Sequence, residues 1–158
     1  MSGQDLRVVK IRVRMNVSGK RIIGYVDLPA AYDRTSDMLS GPDLFILVRP
    51  EKNLAAVKAD SFHIIQKEAI SYVEALEEPK HSETSLLQGR FQPVIAELKE
   101  PTVHIKAEIF VPQGSSVLSV LNDKRSFINL CKVRFENSVE QYHYLGVGKK
   151  QIILLKAQ

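Results

Sequence analysis

The chain has no tryptophan, one cysteine and no apolar run long enough to cross a membrane as a helix. Its single Cys131 cannot form a disulfide within the chain, which is typical of proteins in a reducing compartment. Arg7, Lys10, Arg12 and Arg14 interrupt the apolar positions near the N-terminus, where a signal peptide would need a continuous apolar stretch. These absences predict a cytoplasmic protein without membrane insertion.

Sequence signatures of catalysis and of metal binding are also missing. The four histidines are scattered, and neither Cys-x-x-Cys, His-Glu-x-x-His nor a Gly-x-Ser-x-Gly elbow occurs. Residues 146–150 have the composition of a phosphate-binding loop, but an apolar strand follows them instead of a helix, which favours a glycine-assisted hairpin turn. We therefore expect no enzyme, no catalytic or metal-binding residues, no cofactor and no small-molecule substrate.

What the chain does contain is an internal repeat. Sliding the sequence on itself by 82 residues matches Leu39 with Leu121, Phe45 with Phe127, Val48 with Leu130, Lys67 with Lys149, Ile70 with Ile152 and Val73 with Leu155. With a one-residue gap, Pro29 falls on Pro112, and each closes an apolar strand. A match at one spacing over the body of a chain indicates a duplicated structural unit.

Alternation of apolar and polar residues predicts strands in both copies. Residues 9–15 alternate strictly, and 16–19 form a turn in which Gly19 is free to take a positive φ. Capping residues followed by Gly-Pro predict a short helix within 33–42, which 115–122 repeats. The other expected strands are 21–28, 44–49, one within 55–65 and 69–76 in the first copy, and 91–98, 103–111, 126–133, 139–145 and 151–157 in the second.

The predicted fold class is mostly β: two tandem, small, five-stranded β-barrel-like units, each with a short helix inserted between its strands 2 and 3. The first unit takes residues 1–76, a charged linker 77–90, and the second unit 91–158. Each unit is near the lower size limit for an independent core. We therefore expect the units to bury apolar surface against each other or against another chain.

The net charge of +4 lies in the second half of the chain. Residues 1–79 contain 11 basic and 11 acidic side chains, whereas 80–158 contain 11 and 7. Much of the excess comes from Lys124, Arg125, Lys132, Arg134, Lys149 and Lys150. Such a patch suits a phosphate backbone or an acidic partner, and it equally serves solubility.

Two positions recur in both copies with chemistry of their own. Phe45 and Phe127 open the third strand of each unit, and Lys67 and Lys149 lie in the turn before the last strand. A cation beside an exposed aromatic ring can stack a base and neutralise its phosphate. The alternative, which we favour, is that both rings belong to the core and both lysines are solvated turn residues.

The chain resembles the Sm-like small β-barrels, specifically the bacterial Hfq branch. The resemblance is carried by Val-Arg-Met-Asn-Val-Ser-Gly-Lys-Arg-Ile-Ile-Gly at 13–24, Phe-Ile-Leu-Val at 45–48 and Lys-Glu-Ala-Ile-Ser-Tyr-Val at 67–73. It covers most of 9–76 and, more weakly, 91–157. That family forms rings by pairing strand edges between subunits, and it binds uridine-rich or adenine-rich RNA near the pore.

By this resemblance, Phe45 and Phe127 match the family's base-stacking aromatic residue, and Lys67 and Lys149 match the lysine of its Lys-His pair. The sequence departs from the family in several places. The histidine is replaced by Glu68 and by Lys150, residues 30–43 have no counterpart in a minimal Sm barrel, and Gly24 becomes Ala107.

Residues 34–40 also resemble the Arg-x-Ser-Asp-x-Leu-Asn box of uncharacterised bacterial domains. Arg34, Asp37 and Leu39 are therefore candidate interaction residues, although the resemblance implies no activity.

The sequence thus favours a non-catalytic binding or assembly module that acts through protein–protein contacts at exposed strand edges and the inserted helix. We expect it to be oligomeric, since three chains could supply six units. The alternative is an RNA-binding Sm-like protein that uses its basic second unit. Its candidate residues are Phe127, Lys149, Lys150, Lys124 and Arg125, with Phe45 and Lys67 at the matching places of the first unit.

Overall fold

A computed structural model describes residues 9–29, 35–51, 61–77, 88–100 and 102–158, with only the backbone of Ser36 and Asp37. These residues form ten antiparallel strands and short helical segments, so the prediction of a mostly β protein is confirmed. Most of the expected linker and most of the strand expected within 55–65 lie outside the described residues.

The first unit runs from β1 to β5. Its elements are β1 (Val9–Val17), β2 (Lys20–Leu28), α1 (Thr35–Leu39), β3 (Phe45–Pro50), β4 (His63–Gln66), a 3-10 turn (Lys67–Ala69) and β5 (Ile70–Ala75). The alternating residues of β1 put Ile11, Val13 and Met15 into the core. At the β1–β2 turn, Gly19 has a φ of 83° and donates its backbone N–H to the Asn16 side chain.

The second unit repeats this series. Its elements are β6 (Gly89–Lys99), β7 (Thr102–Pro112), α2 (Val117–Leu121), β8 (Phe127–Phe135), β9 (Gln141–Gly148), a 3-10 turn (Lys149–Gln151) and β10 (Ile152–Ala157). The Ser116 side chain accepts the backbone N–H of Ser119 and so caps the start of α2. In both units, the helix lies between the second and third strands, where the sequence places it.

The strands follow a single order, β10-β6-β7-β8-β9-β5-β1-β2-β3-β4. Each unit contributes its fifth strand followed by its first to fourth strands, so the two halves of the sheet have the same arrangement. The pairing register repeats as well, because Phe45 lies opposite Gln66 and Phe127 lies opposite Gly148. Where the halves meet, the last strand of the first unit pairs with the fourth strand of the second.

Two apolar clusters fill the molecule. One is built from the strands of the first unit and α1, but it also includes Phe127 from the second unit. The other is built mainly from β6–β9 and has Tyr72 of the first unit packed against it. The cores therefore exchange one aromatic side chain each across the junction, as the small size of each unit led us to expect.

The expected glycine hairpin at 146–150 is wrong, because Gly146 and Gly148 lie inside β9 and the chain turns at Lys149–Gln151. A Cβ on Gly148 would lie 2.4 Å from the carbonyl oxygen of Ile70, so this glycine allows β9 to approach β5 closely.

The replacement of Gly24 by Ala107 also has a structural explanation. A Cβ at Gly24 would lie 2.3 Å from the backbone oxygen of Arg49, so β2 and β3 need a glycine there. In the second unit, the β7–β8 register shifts at this place, and Lys132 takes a φ of 51°. We infer that this bulge makes room for the side chain of Ala107.

Candidate assembly interface

The junction between the two units is built on a short strand pair. Tyr72 of β5 lies opposite Val147 of β9, and Val73 lies opposite Gly146. Only two residue pairs hold the register, so the close approach at Gly148 and the side chains around it define the rest of the contact.

Apolar side chains of both units meet at this junction. The ring of Phe127 is 3 % exposed and packs in the core of the first unit. Leu39 of α1 is also buried, and its Cδ1 atom would lie 3.8 Å from a Cβ on Gly146 of the second unit. Phe127 thus takes the core alternative, while Leu39, which we expected to be an interaction residue, lies at the contact between the units.

The polar contact at the junction joins two residues at the same position of the repeat. The Lys150 ammonium lies 2.5 Å from the Glu68 carboxylate, and the two residues are 82 apart in the sequence. The buried Gln151 side chain donates to the backbone oxygen of Glu68 at 2.9 Å. The two residues at this matched position of the repeat are therefore opposite charges that pair with each other.

The recurring lysines hold the ends of the inserted helices. The Lys67 ammonium donates to the backbone oxygens of Met38 at 3.0 Å and Gly41 at 3.3 Å. The Lys149 ammonium makes the same two bonds, to Val120 at 3.1 Å and Asp123 at 3.2 Å. A cation at the C-terminal end of a helix satisfies carbonyl groups that have no partner within the helix.

The two lysine sites differ in charge. In the second unit, the Lys149 ammonium also lies 2.7 Å from the Asp123 carboxylate, which Arg125 contacts as well. Hydrogen bonds from Arg125 and from Lys149 hold the pKa of Asp123 well below its usual range. In the first unit, Gly41 replaces the aspartate, and burial lowers the pKa of Lys67.

The cations proposed for RNA binding come together at one cleft of about 620 Å³, at the junction. The cleft is lined by Lys67, Lys124, Arg125, Phe127, Lys149 and Lys150 among others, but not by Phe45. Within the described part of the chain, Lys124 has no ion-pair partner, whereas Arg125, Lys149 and Lys150 each pair with a carboxylate. Arg34 and the side chain of Asp37 lie outside the described residues.

Among the residues that the structure describes, the outer edges of the sheet carry the same positions with no neighbouring strand. Phe45, which matches the buried Phe127, is 51 % exposed on β3 beside the edge strand β4. Ile153 on β10 matches Ser71, and their exposed fractions are 58 % and 0 %. Both edges are apolar; the other large exposed side chains there are Leu44, Leu47, Phe62, Ile64 and Leu154.

The sequence predicts contacts at exposed strand edges but does not say which strands form those edges, although a signal for this is present. A lone alternating strand is compatible with either a buried or an exposed face. Compared across the repeat, however, Ile153 replaces Ser71, Ile64 replaces Gly146 and Leu44 replaces Ser126. The positions that gained apolar side chains are those at the outer edges.

Other kinds of site are not seen in the residues that the structure describes. No group of three or more His, Cys, Asp or Glu side chains in those ranges could hold a metal ion. Among the same residues, no helix is long and apolar enough to span a membrane.

No protein-family model, no curated protein and no solved structure matches the chain.

Proposed function

We propose that the protein is a non-catalytic assembly module whose copies associate head to tail, the β10 edge of one chain pairing with the β4 edge of the next. The observation that carries this proposal is the internal β5–β9 junction, where the fifth strand of one unit already pairs with the fourth strand of another. The outer strands β10 and β4 are the same fifth and fourth strands, left at the two ends of the sheet. In this proposal, each unit is a small barrel-like unit, and its edge strand pairs with an edge strand of the next unit.

The internal junction supplies a register for the contact between chains. Shifting its pairs by one repeat places Leu154 of one copy opposite Ile65 of the next, and Leu155 opposite Ile64. An exposed apolar edge strand presents unpaired backbone groups to another chain unless it is protected. On β10, Ile153 and Leu154 are both more than half exposed, and Lys156 is the only charged side chain of that strand.

The charges at the junction fit an assembly in which first and second units alternate. Glu68 contacts Lys150 within one chain. At a contact between chains, Lys150 of one copy would face Glu68 of the next, so the same pair recurs with the order of the units reversed. Identical charges in the two units would repel at every junction, whereas opposite charges attract.

Two different edges that fit each other make a heterologous contact, which can continue from copy to copy. Such a contact generates a ring if the rotation closes and a filament if it does not. In either form, every chain uses both edges.

Sedimentation velocity over a range of protein concentrations tests the proposal. We expect the wild-type chain to form species larger than a monomer and Leu154→Lys to remain a monomer, because the substitution puts a charge on the β10 edge. Val139→Lys is the matched control, since Val139 is 97 % exposed and lies on neither edge strand. A wild-type chain that stays monomeric at tens of micromolar would disprove the proposal.

RNA binding at the junction cleft is the weaker candidate. Phe127 offers no exposed ring there, and three of the cations are paired with carboxylates. A uridine-rich oligonucleotide whose binding at low salt falls on Lys124→Gln would favour it.

A further inference from the structure

A second cleft, of about 660 Å³, lies on the second unit away from the junction. Its lining includes Lys106 on β7, Lys132 and Arg134 on β8, and Gln141 and His143 on β9. The junction cleft shares none of these residues. Three cations of the second half that do not line the junction cleft, Lys106, Lys132 and Arg134, therefore line this one.

The central feature of this cleft is a pair of like charges on neighbouring strands. Lys106 lies directly opposite Arg134 in the β7–β8 register, and Gln141 follows opposite Arg134 on β9. Like charges directly opposite one another destabilise a sheet. Within the described ranges, neither Lys106 nor Arg134 forms an ion pair; the one carboxylate side chain that lines the cleft, that of Glu108, pairs with Lys132 instead.

The β8 bulge adds a third cation beside this pair. Lys132 takes a positive φ there, and its ammonium lies 3.4 Å from the Glu108 carboxylate. Its side chain is 78 % exposed, so the ion pair is open to solvent. Glu108 is the one carboxylate side chain among the residues lining the cleft, and it faces three Lys and Arg side chains.

We propose that this cleft binds the phosphate group of a ligand, with the phosphate lying between Lys106 and Arg134. A guanidinium group presents a planar set of donors that matches phosphate oxygens, and a lysine adds a compact positive charge. A dianion at this position turns the repulsion between the two cations into attraction to a shared partner. Gln141 and His143 supply further polar side chains at the same edge of the cleft.

Tripolyphosphate and a ten-nucleotide single-stranded DNA are suitable probes, each titrated at low salt and followed by calorimetry. We expect the wild-type chain to bind at least one of them, and Lys106→Gln with Arg134→Gln to weaken that binding by at least about tenfold. Binding of tripolyphosphate alone identifies a small phosphorylated ligand. Tighter binding of the DNA, with a steep loss on adding salt, identifies a nucleic-acid backbone.

The matched control is Lys124→Gln with Arg125→Gln, which removes the same charge from the junction cleft. We expect this variant to keep its affinity, and an equal loss would show that only the net charge matters. Absence of wild-type binding to both probes would also overturn the proposal. Because the substitutions relieve repulsion, we expect Lys106→Gln with Arg134→Gln to melt no lower than the wild-type chain, which separates lost binding from misfolding.

Discussion

The two units share an arrangement of strands and differ in what their matching residues face. Phe127 is buried in its neighbour's core, while Phe45 at the same position of the repeat is half exposed at an outer edge. Ser71 is buried at the junction, while Ile153 is exposed on β10. The comparison teaches that residues exposed at an outer edge occupy the same positions of the repeat as residues buried at the junction between the units. It is the central support for association between copies.

The lysine sites show a second difference. Each ammonium holds two carbonyl groups at the end of a helix, but only the second unit adds a carboxylate, that of Asp123. In the part of the chain that the structure describes, the buried Lys67 therefore binds its helix without an ion-pair partner, whereas Lys149 also forms an ion pair with Asp123. Both lysines therefore have the same structural role, and we expect the ion pair with Asp123 to make the stability of the second unit more dependent on pH.

Among the substitutions considered, we expect one at Gly148 to destabilise the junction most. We expect Gly148→Ala to lower the free energy of unfolding by about 1–3 kcal/mol, because its Cβ would press on the Ile70 carbonyl oxygen. Gly146→Ala is the control two residues away, where the nearest atom to the new Cβ is 3.6 Å distant. Urea denaturation measures both, and equal losses would contradict the close approach as the cause.

Removing a lysine that holds a helix should have the next largest effect. We expect Lys67→Met to lower the free energy of unfolding by about 1–2 kcal/mol, because two carbonyl oxygens lose a charged donor. The exposed Lys20→Met serves as a control for the loss of a positive charge. If thermal and urea denaturation show the two variants to be equally stable, Lys67 is a solvated turn residue, as the sequence suggested.

The ion pair between Lys149 and Asp123 should affect how the free energy of unfolding falls at acid pH. The folded-state pKa of Asp123 lies below its unfolded value, so its contribution is present above the usual carboxyl range and is lost as the pH falls through the folded-state pKa. We expect Asp123→Asn to remove about 1 kcal/mol or less near neutral pH, and progressively less as the pH falls below the usual carboxyl range toward the folded-state pKa. Unfolding curves between pH 2 and pH 7 measure this, and a constant difference would contradict it.

The smallest expected effect concerns Gln66, which stands on β4 where Gly148 stands on β9. By the repeat, the Cβ of Gln66 would press on Ile152 of the next copy, so Gln66→Gly should tighten association about twofold to threefold. Gln66→Ala keeps the Cβ and should leave the association constant nearly unchanged. Weaker association of the glycine variant would show that the contact between chains does not follow the internal register.

Much of the fold could be predicted from the sequence because strand alternation and the repeat are local patterns. The expected helices, the β1–β2 turn at Gly19 and the opening of β3 and β8 by Phe45 and Phe127 all depend on such patterns. The sequence predicts a turn at Gly146 and Gly148, which is wrong because a glycine inside a strand and a glycine in a turn look alike until the neighbouring strand is known. The contact of β9 with β5 is long-range and has no local signal.

The candidate site was predicted less well for the same reason. Lys67 and Lys149 recur in the sequence, but their acceptors are backbone oxygens that only the folded chain brings near. By the resemblance alone, Glu68 and Lys150 are departures from a family pattern, whereas in the structure the two side chains pair with each other. Residues from separate units can form one contact without any shared local pattern.

The most direct measurement uses two chains, each with one damaged edge. Leu154→Lys leaves the β4 edge intact, and Ile64→Lys leaves the β10 edge intact. The account predicts that each variant alone sediments as a monomer and that an equimolar mixture forms a heterodimer and nothing larger. Dimers of Ile64→Lys alone, or a mixture that remains monomeric, would contradict head-to-tail association.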